Sequence, residues 1–322
     1  MITMRRLGST DLEITPIGLG CMQFAGQGIV TQFYRPLDQD TIGSIVRAAH
    51  QGGVNWFDTA EMYGRGHSER ALTSALTSIG VTPGQVRVST KWAPLGRTAA
   101  NIGRTIDARL TALQGFPIDL YQIHEPHGSL SSITRQVRAM AELRTAGKIA
   151  AVGVSNFSAR QMELADEILR AHGLRLASNQ VQISLLHRAI EHNGVLETAR
   201  RLGVTLIAFS PLRSGLLTGK FHATPELMRT VRPIRRTLGG FSARTLTRTA
   251  PLIDELRAIA DAYGAVPAQV ALAWLLTHYS ETVVAIPGAS SPTQATASSE
   301  AMNLHLTDAE LDRLDTLSAA QH

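Results

Sequence analysis

One cysteine, Cys21, in 322 residues excludes an internal disulfide and any cysteine-built metal cluster, and no metal site is expected. Aromatic residues are scarce, and no apolar run approaches the roughly 20 residues that a membrane helix needs. The opening M-I-T-M-R-R-L-G lacks the apolar stretch of a secretory signal, so a cytoplasmic protein with no membrane partner is expected. Acidic residues are too few to balance the basic ones, 26 against 31. That excess is local. Arg229, Arg232, Arg235, Arg236, Arg244 and Arg248 crowd one stretch with no acid between Glu226 and Asp254. It reads as a solvated loop over about 212–249, with a role in holding an anionic cofactor or substrate as the other reading. No series of interleaved aromatics accompanies these arginines, so nucleic acid is not an expected partner.

What is present is a repeat. Short β-prone runs ending in polar residues or glycine recur at 17–21, 54–57, 86–90, 120–123, 151–154, 179–183, 205–209 and 282–286. Between them the apolar residues keep helical spacing, as in Ile42, Ile45, Val46 and Ala49, or Ile102, Ile106, Leu110 and Leu113. Ser68 with Glu69, Ser131 and Ser158 stand where helices should begin, and Gly147 and Gly173 where they should stop. Alternating strands and helices predict a parallel sheet. The first run, I-G-L-G-C-M-Q-F-A-G, is not the G-x-G-x-x-G of a doubly wound dinucleotide fold, whereas eight units suffice for a closed barrel. The expected architecture is therefore an α/β (β/α)8 barrel in one domain over 1–322. A hairpin at 5–15 would close its floor, and an extra helix is expected near 250–263.

In such a barrel the chemistry lies at the C-terminal ends of the strands. The second run ends in Asp58 with Tyr63 following, the third reaches Lys91, and the fourth reaches His124. The fifth ends in Ser155 and Asn156, and the sixth carries Gln180. A tyrosine is a poor acid at neutral pH, but a nearby ammonium favours its phenolate. Lys91 can supply that charge, Asp58 can pair with the lysine, and His124 can orient a carbonyl. That set donates a proton to a carbonyl oxygen.

The chain resembles the aldo-keto reductases in G-V-N-W-F-D-T-A-E-M-Y-G, V-S-T-K, D-L-Y-Q-I-H, L-R-T-A-G-K-I-A-A-V-G-V-S-N-F, A-F-S-P-L and I-P-G-A-S, in family order across nearly the whole sequence. The resemblance implies a carbonyl reductase using NADPH, with NADH as the alternative. It places the family's catalytic tetrad on Asp58, Tyr63, Lys91 and His124, and the carboxamide-holding residues on Ser155, Asn156 and Gln180. Phe209 takes the place of the aromatic that stacks on the nicotinamide. Diphosphate contacts fall on Ser210, Pro211, Leu212, Ser214 and Gly215, and the adenosine end on Gly288, Ser290 and Gln294. Here the pattern departs, because Ser290 and Ser291 follow I-P-G-A where many relatives carry a base, and Ala297 and Ser298 replace a Glu-Asn pair.

Phe24, Trp92 and Glu125, with His127, are the expected substrate-pocket residues. The expected partner is a small carbonyl compound, and a homo-oligomer is compatible with the sequence. Two other functions use the same residues: a Schiff-base enzyme with Lys91 as nucleophile, and a cofactor-bound regulatory barrel that senses redox state.

Overall fold

In the computed structural model, which describes residues 2–321, every one of the eight runs contributes a parallel strand. An antiparallel hairpin comes first, β1 (Arg5–Arg6) and β2 (Glu13–Ile14). The parallel strands are β3 (Leu19–Gly20), β4 (Trp56–Asp58), β5 (Arg87–Trp92), β6 (Leu120–Ile123), β7 (Ala151–Ser155), β8 (Leu176–Gln182), β9 (Thr205–Phe209) and β10 (Val283–Ala285). Each pairs with its successor in the chain, and the parallel bridges Ile17 to Ala285 and Gly20 to Gly288 bring the first and last edges together. Eight parallel strands curling until their edges meet is the arrangement of a (β/α)8 fold.

The helices are α1 (Gln39–Gln51), α2 (His67–Ser78), α3 (Ala100–Ala112), α4 (Ile133–Thr145), α5 (Ala159–Arg170) and α6 (Val195–Leu202). Six more follow: α7 (Lys220–Ala223), α8 (Pro233–Leu238), α9 (Ala243–Tyr263), α10 (Pro267–His278), α11 (Pro292–Glu300) and α12 (Asp308–Ala319). The spacing that predicted α1 is the face it buries, since Ile42, Ile45, Val46 and Ala49 are all inaccessible. Burying each larger apolar side chain contributes about 1.5–3 kcal/mol, which outweighs the modest helix propensity of a segment containing Gly43.

Two expected caps hold only nearby. Ser158 caps α5 in a capping box with Gln161. The α4 cap is Ser132, one residue past Ser131, and Ser68 lies inside α2, where its hydroxyl donates to the Cys21 carbonyl.

The floor is closed as the hairpin predicted. Leu7 and Ile14 enter one apolar cluster with Trp56, Leu120, Ile207 and Val284, all inward-facing strand residues. The buried Trp56 indole donates to the Thr15 carbonyl at 2.8 Å, so its polar atom is satisfied. The stretch expected as a loop over 212–249 differs from that expectation. It is built of short helical turns, α7 and α8 among them, and the helix expected near 250–263 already begins at Ala243. Ser242 caps that start, and Pro251 sits inside the helix without ending it.

Candidate active site

Strand alternation decides which residues meet. On β4, β5 and β6 alternate side chains face the barrel interior, so Asp58, Ser89, Lys91, Gln122 and His124 point inward. Register sets them level, with Asp58 opposite Ser89 and Lys91 opposite Gln122. Asp58 is the hub. The Lys91 ammonium donates to its Oδ1, while Oδ2 accepts from Ser89 Oγ at 2.9 Å, Gln122 Nε2 at 3.1 Å and Gln180 Nε2 at 3.0 Å. Lys91 also donates to the Thr59 carbonyl at 2.8 Å. Both members of the ion pair are buried. Burial opposes the lysine charge, but Asp58 and then Tyr63 outweigh it and hold the ammonium above its ordinary pKa.

Tyr63 arrives on the loop between β4 and α2. Gly64 and Gly66 both have left-handed backbone, and a side chain on Gly64 would meet the Ala25 carbonyl oxygen at 2.0 Å. Glu61 anchors the same loop, accepting from the Ala93 amide at 2.6 Å and pairing with Arg97. The Tyr63 ring thereby stands 5.3 Å from Lys91 Nζ and edge-on to His124 at 5.8 Å between ring centroids. Burial pushes the phenol above its ordinary pKa, and the pull of Lys91 reverses only part of that rise. The lysine therefore restrains the desolvation of the phenol and does not make it a stronger acid in the free protein. His124 is pulled down to about 3, first by burial and then by Lys91, so its imidazole is neutral at neutral pH. Its Nδ1 is buried without a hydrogen-bond partner.

Around this centre lie the residues expected to hold a cofactor. Ser155 donates to the Gln180 carbonyl at 3.0 Å, and Asn156, in a left-handed conformation, donates to Ser155 Oγ at 3.3 Å and Glu125 Oε1 at 2.9 Å. Gln180 is level with Ser155, but its Nε2 is committed to Asp58. Phe209 ends β9 partly exposed at the barrel mouth. Beyond it Ser210, Arg213, Ser214 and Gly215 all have positive φ, so the chain after Pro211 and Leu212 winds tightly.

Two cations approach that turn. A Cβ on Gly215 would lie 3.8 Å from an Arg235 nitrogen and 3.9 Å from Lys220 Nζ. Arg235 also donates to the Ser214 carbonyl at 2.7 Å and covers the Tyr34 ring. Arg213, on the same turn, is depressed by burial, and Lys220 by burial and then by Arg235. Among the described residues none of the three pairs with a carboxylate. Cations that share one backbone turn without a counter-ion fit an anionic group such as a diphosphate. At the other end Gln294 Oε1 accepts from the amide and hydroxyl of Ser290, and Ser291 caps α11.

Two expectations need correction. Trp92 and Phe24 are fully buried in the outer apolar core rather than lining a pocket. Trp92 follows Lys91 on a strand, so it must point the opposite way, and its indole donates to Asn101 on α3. Gly288, expected at the adenosine end, is also closely packed, because a Cβ there would fall 2.2 Å from Gln23 Nε2. Gln122 was missed. Its signal was a polar residue within an apolar strand, two positions before His124 and hence on the same inner face.

Comparison with known proteins follows the same outline. The Aldo/keto reductase family profile matches residues 16–319. A Mycobacterium tuberculosis protein described as an uncharacterized oxidoreductase is 37% identical over 313 residues, covering 96% of this chain and 90% of that protein. The aldo-keto reductase str7 of Strobilurus tenacellus is 30% identical over 325 residues, 95% of this chain and 89% of its own. Among solved structures, the thermostable aldo-keto reductase Tm1743 in complex with epalrestat superposes with a TM-score of 0.77 at 28% identity, covering 98% of this chain and 100% of that one. The glycerol dehydrogenase AKR11B4 of Gluconobacter oxydans gives 0.79 at 26% identity, covering 98% and 95%.

Proposed function

The chain belongs to the aldo/keto reductase family and is an oxidoreductase, and from that premise we propose that it reduces an aldehyde or ketone to an alcohol with a reduced nicotinamide cofactor, Tyr63 being the proton donor. The observation that carries the reading is the convergence of Tyr63, Lys91, Asp58 and His124 on one barrel mouth. A reduced nicotinamide, when bound, would supply the hydride. The chain supplies everything else. His124, neutral, offers an N–H to the carbonyl oxygen and fixes its direction. Tyr63 stays protonated until charge develops on that oxygen, and Lys91 then stabilises the phenolate left behind. Asp58 keeps Lys91 charged despite its burial.

Ser155, Asn156 and Gln180 would hold the carboxamide, and Phe209 would stack on the ring. The turn from Ser210 to Gly215 with Arg213, Lys220 and Arg235 would take the diphosphate, and Ser290 with Gln294 the adenosine end. NADPH is the preferred cofactor because aldo/keto reductases mostly use it, with NADH as the competitor in the same assay, since both carry the diphosphate that these cations would meet. A Schiff base on Lys91 is disfavoured by the same burial and pairing, since a nucleophilic amine needs a lowered pKa and this one is raised. The test is Tyr63→Phe, for which turnover with NADPH and simple aldehydes falls about 100- to 10,000-fold. NADPH binding, followed by fluorescence titration, is retained. Turnover near that of the wild type would remove Tyr63 from the mechanism.

A further inference from the structure

Glu125 follows His124 directly, at the point where β6 has ended and the chain turns over the barrel rim. Its side chain is exposed, and Oε1 accepts from Asn156 Nδ2 at 2.9 Å. Asn156 in turn lines a cavity of about 570 Å3 that is shared with Phe209, Gln182, His127, Asn193 and Ser158. This volume is within the range of small-molecule sites. Glu125 is not itself among the residues that line the cavity but touches it through Asn156, and among the described residues it forms no ion pair with a lysine or arginine. The buried cation of the site, Lys91, is already matched by Asp58. Directly beside His124 the chain therefore carries an exposed carboxylate with no cationic partner, a group that only accepts hydrogen bonds.

We propose that Glu125 is a specificity-determining residue that acts as a charge filter, admitting neutral carbonyl compounds that carry a hydrogen-bond donor such as a hydroxyl and rejecting those that carry a carboxylate. This deepens the carbonyl-reductase reading and rests on it. Glu125 does two separable things. It holds the Asn156 amide, and it puts a negative charge beside His124. A glutamine keeps an acceptor oxygen for Asn156 and removes the charge, whereas alanine removes both.

The experiment measures kcat/KM with NADPH for benzaldehyde, 4-(hydroxymethyl)benzaldehyde and 4-carboxybenzaldehyde in the wild type, Glu125→Gln and Glu125→Ala. The preference for benzaldehyde over the carboxylated aldehyde falls about tenfold in Glu125→Gln, through KM. That is the effect of a unit charge about 6 Å away at an effective dielectric of about 40. The preference for the hydroxymethyl compound falls in both variants. A preference that is unchanged in Glu125→Gln but altered in Glu125→Ala would assign Glu125 to positioning Asn156 and overturn the filter. If the wild type turns over none of the aldehydes, the carbonyl-reductase reading fails, and the filter is judged on binding alone. Calorimetry with benzoate and benzyl alcohol, with and without NADP+, then supports it if Glu125→Gln gains benzoate affinity and sinks it if the two ligands respond alike.

Discussion

Replacing Asp58 by asparagine tests the electrostatic core of the site without changing its shape. Asparagine has one acceptor oxygen where aspartate has two, and four donors now converge on that carboxylate: Lys91, Ser89, Gln122 and Gln180. Whichever way the new amide turns, its NH2 faces either the ammonium or the cluster of three neutral donors. The buried lysine is also left without a counter-charge. Breaking a buried pair on one side costs about 3–5 kcal/mol, and the packing here gives water no room to compensate. With about 2.1 cal/mol/K of unfolding entropy per residue, 322 residues give ~0.7 kcal/mol/K, so a loss of ~4 kcal/mol lowers Tm by about 6 °C.

The second arm is Lys91→Met in the Asp58→Asn background, which removes the stranded charge. The double variant melts no lower than Asp58→Asn alone, because a buried pair replaced on both sides is far less costly than one broken on one side. Calorimetry of Asp58→Asn, Lys91→Met, the double variant and the wild type completes the cycle. An Asp58→Asn protein that melts within a degree of the wild type would refute the reasoning, as would single losses that add within about 0.5 kcal/mol.

The remaining expectations concern the imidazole and the cation turn. His124 titrates at about 3 in the folded chain against about 6.5 unfolded, so the unfolded state binds more protons between those limits. Stability is therefore full above pH ~6.5 and is lost as pH falls. Urea unfolding shows the wild type losing up to about 1.4 kcal/mol per pH unit relative to His124→Gln below that pH. Parallel pH profiles would contradict the buried neutral imidazole. Lys220→Ala and Arg235→Ala each weaken NADPH binding about tenfold or more, since a hydrogen bond to a charged group contributes about 1.5–3 kcal/mol. The loss shrinks at high salt, and fluorescence titration at two ionic strengths checks it. Unchanged dissociation constants would move the diphosphate elsewhere.

The strand ends were legible because an apolar run that stops at Asp58, Lys91 or His124 has a physical reason to stop there. Each carries a charge or a hydrogen-bonding ring to the barrel mouth, where partners are available. The floor was legible for the same reason, in the β-prone residues flanking the turn at 5–15. What escaped depended on direction rather than position. Trp92 sits beside Lys91 in sequence, yet the pleat sends one into the apolar shell and the other to Asp58, and Gln122 was hidden inside a run read only for its apolar neighbours. The stretch from 212 to 242 escaped for another reason. Its helices are short turns with weak periodicity, fixed by contacts such as Arg235 with Ser214 and Tyr34 that join distant parts of the chain.

Asp58 Oδ2 gathers donors from β5, β6 and β8, and Gln180 lies 122 residues away from it in the chain. A slip of one residue in any of these strands would turn its donor to the outer face and replace it with an apolar neighbour. The carboxylate thus checks the register of the sheet from inside. A partly rolled sheet leaves the lysine and its partner short of ligands, so such a species is penalised in proportion to how far it is from closing. Assembly of this buried cluster and completion of the cylinder become one cooperative event, and a chain that closed in the wrong register would lose the Lys91–Asp58 pair beside Tyr63.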